Sequence, residues 1–167
     1  MNELVEIGKR AKTVSYILSN VSSEIKNKAL GIAAKNLIIN TDQILKANEI
    51  DLKNAENEGL KGAILDRLKL SKERITDIAH GLDQLVTLED PVGEVISMKK
   101  RPNGLMVGKK RVPLGVIGMI YEARPNVTAD VFGLCIKTGN VAILRGGKEA
   151  FHSNNAIVGI LRESLQE

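Results

Sequence analysis

The sequence predicts an α/β chain in which a helical layer comes first, a β-hairpin follows, and a parallel strand–helix–strand–helix unit comes last. Three observations predict it. Apolar residues recur at spacings of three and four through residues 1–90. At Pro91 the texture changes to short runs around a strong turn signal. Beyond residue 113, two almost wholly apolar runs alternate with helix-length segments. The chain therefore divides into residues 1–90, 91–112 and 113–167.

In the first helix Leu4, Ile7, Ala11, Val14 and Leu18 share one face. Ser22 or Ser23 can cap a second helix, with Ile25, Ala29, Ile32, Ala33 and Leu37 on its inner side. Asn40 or Thr41 offers a cap for a third, which carries Ile44, Leu45 and Ala47 and stops at Gly59. Residues 60–68 read as a short turn. Ser71 then opens a helix with Ile75, Ile78, Ala79, Leu82 and Leu85 inward, and Asp90-Pro91 ends it. Residues 94–100 and 105–111 flank Pro102-Asn103-Gly104 and predict a hairpin. LGVIGMI at 114–120 and VAILR at 141–145 predict strands buried on both faces, with a helix over 127–137 between them and another from about Lys148. Apolar strands alternating with helices make the first βαβα half of a Rossmann-like parallel sheet.

Composition excludes several classes. Apolar residues make up 43% and charged residues 26%, an ordinary globular balance. Aromatics are only 2%, with no Trp, which argues against stacking of single-stranded bases. No run approaches a membrane span, and MNELVEIGKRAK has acids before its bases and no apolar core, unlike a signal peptide. One Cys allows neither an internal disulfide nor a multi-thiolate metal site. The chain is expected to be cytoplasmic and to bind no metal. The net charge of +4 is localised: Lys99, Lys100, Arg101, Lys109, Lys110 and Arg111 lie together with no acid, while the rest holds 18 basic against 20 acidic residues. With an acidic remainder, few aromatics and no nucleic-acid motif, neither a nucleic-acid nor a membrane partner is expected.

Chemistry is expected at the carboxyl ends of the two parallel strands. After the second, Arg145-Gly146-Gly147-Lys148 combines two glycines, two cations and a helix N-terminus, a pattern suited to phosphate. It is not a Walker A loop, and a plain strand-to-helix turn with two solvated bases is the alternative. After the first strand, Arg124 could hold a carboxylate or phosphate in a bidentate pair, and Asn126 could donate to a developing oxyanion or cap the next helix. Local evidence favours capping. Cys135, between Leu134 and Ile136, reads as a small buried hydrophobe. His80 and His152 lack metal-ligand spacing.

The run VPLGVIGMIYEARPNVTADVFGLCIKTGNVAILRGGKEAFHSNNAI at 112–157, with LDRLKL at 65–70 and DPVGEV at 90–95, resembles the gamma-glutamyl phosphate reductases. These are also called glutamate-5-semialdehyde dehydrogenases, a branch of the aldehyde dehydrogenase superfamily. The resemblance covers essentially the whole chain, and the pair YEARPNV and ILRGGKEA is its specific part.

The resemblance implies reduction of L-glutamyl 5-phosphate with NADPH to glutamate 5-semialdehyde and phosphate, a step of proline biosynthesis. The chemistry would be attack of a Cys thiolate on the acyl phosphate, loss of phosphate and hydride transfer to the thioester. In the superfamily that Cys belongs to a separate domain much further along. Cys135 does not match it, so no catalytic residue is expected within these residues and the chain alone is expected to be inactive. The cofactor would lie along the backbone of Met119, Ile120 and Tyr121 and against Gly146 and Gly147, with Arg145 and Lys148 facing the adenine ribose. NAD-preferring relatives often carry Glu where Lys148 stands. A Lys there would neutralise a 2′-phosphate, which implies NADP(H). Arg124 and Asn126 would contact substrate. The superfamily's oxyanion Asn falls on Ala123, leaving Asn126 as the nearby substitute. The hairpin at 94–111 would pair subunits into a homo-oligomer. The alternative is a non-catalytic nucleotide-binding or interaction module.

Overall fold

A computed structural model describes residues 3–166. The helices are α1 (Glu3–Leu18), α2 (Ser23–Ile39), α3 (Thr41–Asn57), α4 (Ala63–Leu68), α5 (Lys72–Thr87), α6 (Asn126–Lys137) and α7 (Phe151–Ser164). The strands are β1 (Val95–Lys100), β2 (Met106–Lys110), β3 (Val116–Ile120) and β4 (Val141–Arg145). The class is α/β as the sequence predicts, with β3 and β4 parallel and in register from Val116↔Val141 to Ile120↔Arg145. No described helix is long and apolar enough to cross a membrane.

Capping explains where the helices begin. The Ser22 hydroxyl accepts from Ile25 N at 3.3 Å at the start of α2, and the Ser71 hydroxyl accepts from Arg74 N at 3.2 Å before α5. Asn40 and Thr41 behave otherwise. The Asn40 amide donates back to the Asn36 carbonyl, and the Thr41 hydroxyl to the Ile38 carbonyl, so both satisfy the end of α2 and neither caps α3. The stretch expected as a turn at 60–68 contains the short helix α4.

The core forms where α2 packs on α5, α6 and α7, and where α3 packs on α7. Leu30, Leu37, Ile44, Ile75, Leu82 and Ile157 are buried in one cluster. Each such side chain contributes roughly 1.5–3 kcal/mol by leaving water. Helices α5 and α6 approach closely at Gly133, where a Cβ would sit 2.5 Å from Leu82 Cδ2 and 2.7 Å from Leu85 Cδ1. A second cluster of Ala55, Leu68, Ala123 and Ala150 lies under the turn that follows β3. Ile25 departs from the expected inner face and is 59% exposed, because Lys26 takes the buried place beside it.

Lys26 is buried, and its Nζ pairs with the Asp90 carboxylate and donates to the Lys137 carbonyl. Asp90 also accepts from the Ser23 hydroxyl at 2.7 Å and from Val92 N at 2.9 Å. Buried Lys137 donates to Asn27 Oδ1 at 2.8 Å. Two buried cations are therefore matched by a carboxylate, carbonyls and an amide oxygen, as desolvation of charge requires.

The expectation that both parallel strands are buried on two faces is not met within the described residues. Ile120 is 83% exposed and Leu114 86%. Helix α1 lies against β4 and β3, yet its expected inner residues Leu4 and Val14 stay largely exposed. The apolar composition of β3 and β4 suits a sheet with more cover than residues 3–166 provide. The hairpin β1–β2 is antiparallel, with a register irregularity between Val95 and Ser97, and almost wholly exposed. Of its cations, Arg111 pairs with Glu94 at 2.7 Å.

Candidate functional site

The turns after β3 and β4 lie side by side, because parallel pairing brings the carboxyl ends of both strands to one edge. Tyr121 N donates to the Arg145 carbonyl at 3.1 Å and continues the pairing into the turns. The Tyr121 hydroxyl bonds the Thr128 hydroxyl at 2.6 Å, and Thr128 donates to Asn154 Oδ1 at 2.9 Å. This chain fixes the first turn against α7. Gly146 is held in the same place: a Cβ there would meet Asn154 Nδ2 at 2.3 Å and the Tyr121 ring at 3.3 Å. A side chain at this position would have to push the Asn154 amide aside, so glycine suits the close passage of the Arg145–Lys148 backbone.

The residues expected around a cofactor separate into three settings. Tyr121, Arg145, Gly146 and Gly147 line one large apolar groove of about 610 Å³, which runs between α1, β4 and α7. Arg145 is exposed, and its guanidinium donates to the Gly146 carbonyl at 3.1 Å. Lys148 turns the other way, into a second groove of about 320 Å³ beside α3, where its Nζ lies 2.7 Å from the Glu58 carboxylate. That bond holds the Lys148 ammonium above its usual value. Met119 and Ile120 lie on β3 and line neither groove.

The helix N-terminus expected to face a phosphate is already occupied. A 3₁₀ turn, Lys148–Ala150, precedes α7, and Asp51 of α3 supplies the anion. Its buried carboxylate accepts from His152 N at 3.0 Å, Ser153 N at 2.7 Å and the Ser153 hydroxyl at 2.6 Å. An internal Asp therefore takes the positive end of α7. What the loop still offers an anion is the Arg145 and Lys148 side chains and the backbone around Gly146.

Arg124 and Asn126 face a third groove, of about 390 Å³, between the α4–α5 corner and the start of α6. Asn126 is the first residue of α6 and caps nothing, contrary to the capping expectation. Its amide donates to Asp130 one turn later at 3.0 Å. Burial raises the Asp130 carboxyl above its usual value, with the Asn126 bond working against it. Ala123 is buried in the cluster below and presents no polar group. The groove also takes Arg67, Lys69, Arg74 and Asp77, which no motif had singled out as ligand residues. The signal for the first three was the dense charge of DRLKLSKER, residues 66–74, next to a helix cap.

Cys135 is 4% exposed, a free thiol among apolar neighbours, and burial pushes its pKa up. It is unsuited to act as a nucleophile, as expected for a buried hydrophobe. His80 is exposed, and the His152 ring packs edge-on to Phe151. Among the described residues no group of His, Cys, Asp and Glu could hold a metal.

No family model matches the chain. All 167 residues align with 57% identity to a gamma-glutamyl phosphate reductase of Clostridium botulinum, of which they cover 40%. The crystal structure of the gamma-glutamyl phosphate reductase of Thermotoga maritima superposes with a TM-score of 0.95 at 42% identity, over 99% of this chain and 40% of that one. The chain matches the N-terminal part of the gamma-glutamyl phosphate reductases. It spans about two-fifths of the length of these reductases. A structure described as a putative aldehyde dehydrogenase from Bacillus subtilis superposes with a TM-score of 0.72 at 18% identity, over 94% of this chain and 32% of that one, and shares the fold.

Proposed function

We propose that these residues form the cofactor-side part of an NADP-dependent enzyme that reduces L-glutamyl 5-phosphate to L-glutamate 5-semialdehyde and phosphate in the cytoplasm. The observation that carries this reading is the 57% identity to a named reductase along the entire chain. The non-catalytic binding module has no observation in its favour.

The residues present fit a nicotinamide dinucleotide. Arg145, Gly146 and Gly147 line the large groove, with the Arg145 guanidinium exposed and the Gly146 backbone fixed against Asn154 and the Tyr121 ring. When bound, the cofactor supplies the hydride. The chain's own part is to bind and orient: Arg145, Gly146 and Gly147 hold the nucleotide, Tyr121 backs the turn, and Met119 and Ile120 offer strand backbone. Lys148, which pairs with Glu58 in the neighbouring groove, would be the residue to hold a 2′-phosphate. Arg124 and Asn126 meet the substrate. No nucleophile is proposed among these residues, since the only thiol is buried with a raised pKa. The chain by itself is therefore expected to show no turnover.

The exposed apolar side chains of the hairpin, among them Ile96, Met98 and Met106, support a role in pairing subunits. Its unpaired cations suit acidic counterparts on a neighbouring copy.

The test is fluorescence titration of the chain with NADPH and with NADH. NADPH is expected to bind tighter, and Lys148→Glu to abolish the preference. Glu58→Gln, which frees Lys148 from an exposed ion pair, is expected to tighten NADPH by roughly twofold and leave NADH unchanged. Equal affinities for the two cofactors in the unaltered chain would overturn the NADP reading.

A further inference from the structure

We propose that the groove between the α4–α5 corner and the start of α6 recognises the α-amino acid end of the glutamyl substrate, with Arg67 and Lys69 on the α-carboxylate and Asp77 and Asp130 on the α-ammonium. This deepens the proposed function and rests on it for the identity of the ligand.

The groove is built, in the sense that its rim is held in place. The Arg74 guanidinium donates to the Asp66 carbonyl at 2.5 Å, the Lys69 carbonyl at 2.7 Å and the Asp66 carboxylate at 3.0 Å. Three bonds from one side chain fix the backbone that carries Arg67 and Lys69. Immediately inside, Asn48 accepts from Leu70 N and donates to the Leu68 carbonyl, each at 2.8 Å, and so anchors the same corner to α3. On the facing side, α6 packs on α5 and presents Asn126 and Asp130.

The charges in this fixed frame are unequal and uncommitted. Among the described residues Arg67, Lys69 and Arg124 have no hydrogen-bond or ion-pair partner for their side chains, and neither has Asp77. Among the described residues the Asp130 carboxylate has the Asn126 amide as its one hydrogen-bond partner and no ion-pair partner. Three free cations beside two carboxylates would repel part of any purely anionic ligand and part of any purely cationic one. They complement a molecule with two anionic groups and one cation. An acyl phosphate of an amino acid, with its carboxylate, phosphoryl group and ammonium, has that distribution. The lining offers no aromatic ring, so a base or nicotinamide finds no stacking surface there. Arg124 lies at the strand-end side of the groove, next to the turn that the cofactor residues share, and is left for the phosphoryl end.

The experiment is a titration of the isotope-labelled 167-residue chain, followed by amide chemical shifts. The probes are L-glutamate, glutarate (no ammonium) and 4-aminobutyrate (no α-carboxylate). L-Glutamate is expected to shift amides of residues 66–78 and 124–130 and to bind about tenfold tighter than either truncated probe, since each lacks one charge-assisted contact. Asp130→Asn is expected to lower L-glutamate to the affinity of glutarate while leaving glutarate unchanged. Arg67→Gln is expected to lower it to that of 4-aminobutyrate. Neither side chain supports the fold through a contact that its replacement would break, apart from the bond from Asn126, which the amide oxygen of the Asp130→Asn variant can still accept. Equal binding of all three probes, shifts elsewhere, or an equal loss for all three in both variants overturns the assignment. NADPH titrated into the same sample separates the two readings. A response at residues 145–148 without a glutamate response in the groove overturns this inference alone. A glutamate response without any NADPH response overturns the cofactor reading and leaves the groove.

Discussion

The apolar faces of the helical core and the apolar parallel strand pair end in opposite states. Around Leu30, Leu37, Ile75 and Leu82 each helix face is met by another, and the side chains are at most 2% exposed. On β3 and β4 the apolar residues are only partly covered, Ile120 is 83% exposed, and a groove of about 610 Å³ runs along β4. The difference teaches where function can be placed. The covered region has little room for change, because every side chain there has a neighbour in contact. The partly open region holds the turns that a ligand can reach, and the core holds those turns still from below through Ala123 and Ala150.

The most direct way to break this comparison is to truncate one side chain in each region. Leu82→Ala is expected to cost about 2–5 kcal/mol in urea unfolding, whereas Ile120→Ala should stay within about 0.5 kcal/mol. Similar losses for both would mean that β3 is covered in solution. Next in size is Asp51→Ala, expected to cost about 2–3 kcal/mol, because it strips two backbone N–H groups and a buried hydroxyl of their acceptor. Asp51→Asn should recover part of that, and calorimetric melting of both variants checks the order. Glycine substitution draws the contrast at a single Cβ. Gly133→Ala would press on Leu82 and Leu85 and is expected to cost about 1–3 kcal/mol, while Gly118→Ala on β3 meets nothing within 4 Å and should be nearly neutral. Equal melting temperatures for the two would show that α5 and α6 can part freely.

The smallest effect concerns pH. Burial tends to raise the Asp90 carboxyl, but the bonds from Lys26, Ser23 and Val92 outweigh it and hold the pKa below its ordinary value. The folded value therefore lies under the unfolded one. Its contribution to stability is complete above the unfolded value of about 4 and is lost as pH falls through the folded value. Asp90→Asn should be less stable than the parent at neutral pH and show a flatter acid limb. An unchanged limb in a pH series of unfolding midpoints would remove Asp90 from the acid response.

Much of this was legible in the sequence, and the limits have physical causes. Ser22 and Ser71 announce their helices because a cap is a local contact three residues long. The parallel unit is readable from LGVIGMI and VAILR because apolar runs of strand length have few other uses. Ile25 misled because periodicity reports a face, and nothing local tells that Lys26, the next residue, reaches Asp90 and Lys137 far along the chain. The same limit hid Asp51. Its role at α7 is a contact across about a hundred residues, and it displaced the ligand expected at that helix end. At the candidate site, Arg145 and Gly146 lie beside Tyr121 at the carboxyl ends of the strands. That Lys148 would turn to Glu58, and that Arg124 would face Arg67 and Asp77, depends on α3, α4 and α5, whose positions no local motif encodes.

The joint of Lys26, Asp90 and Lys137 has a mechanical meaning. It clamps the root of the hairpin to α2 and α6 through Ser23, Lys26 and Val92, while the strands beyond it touch little but each other. The hairpin is thus a lever with a pinned fulcrum. The same joint ties the hairpin root to the end of α6, the helix that leads into β4, and to the start of α2.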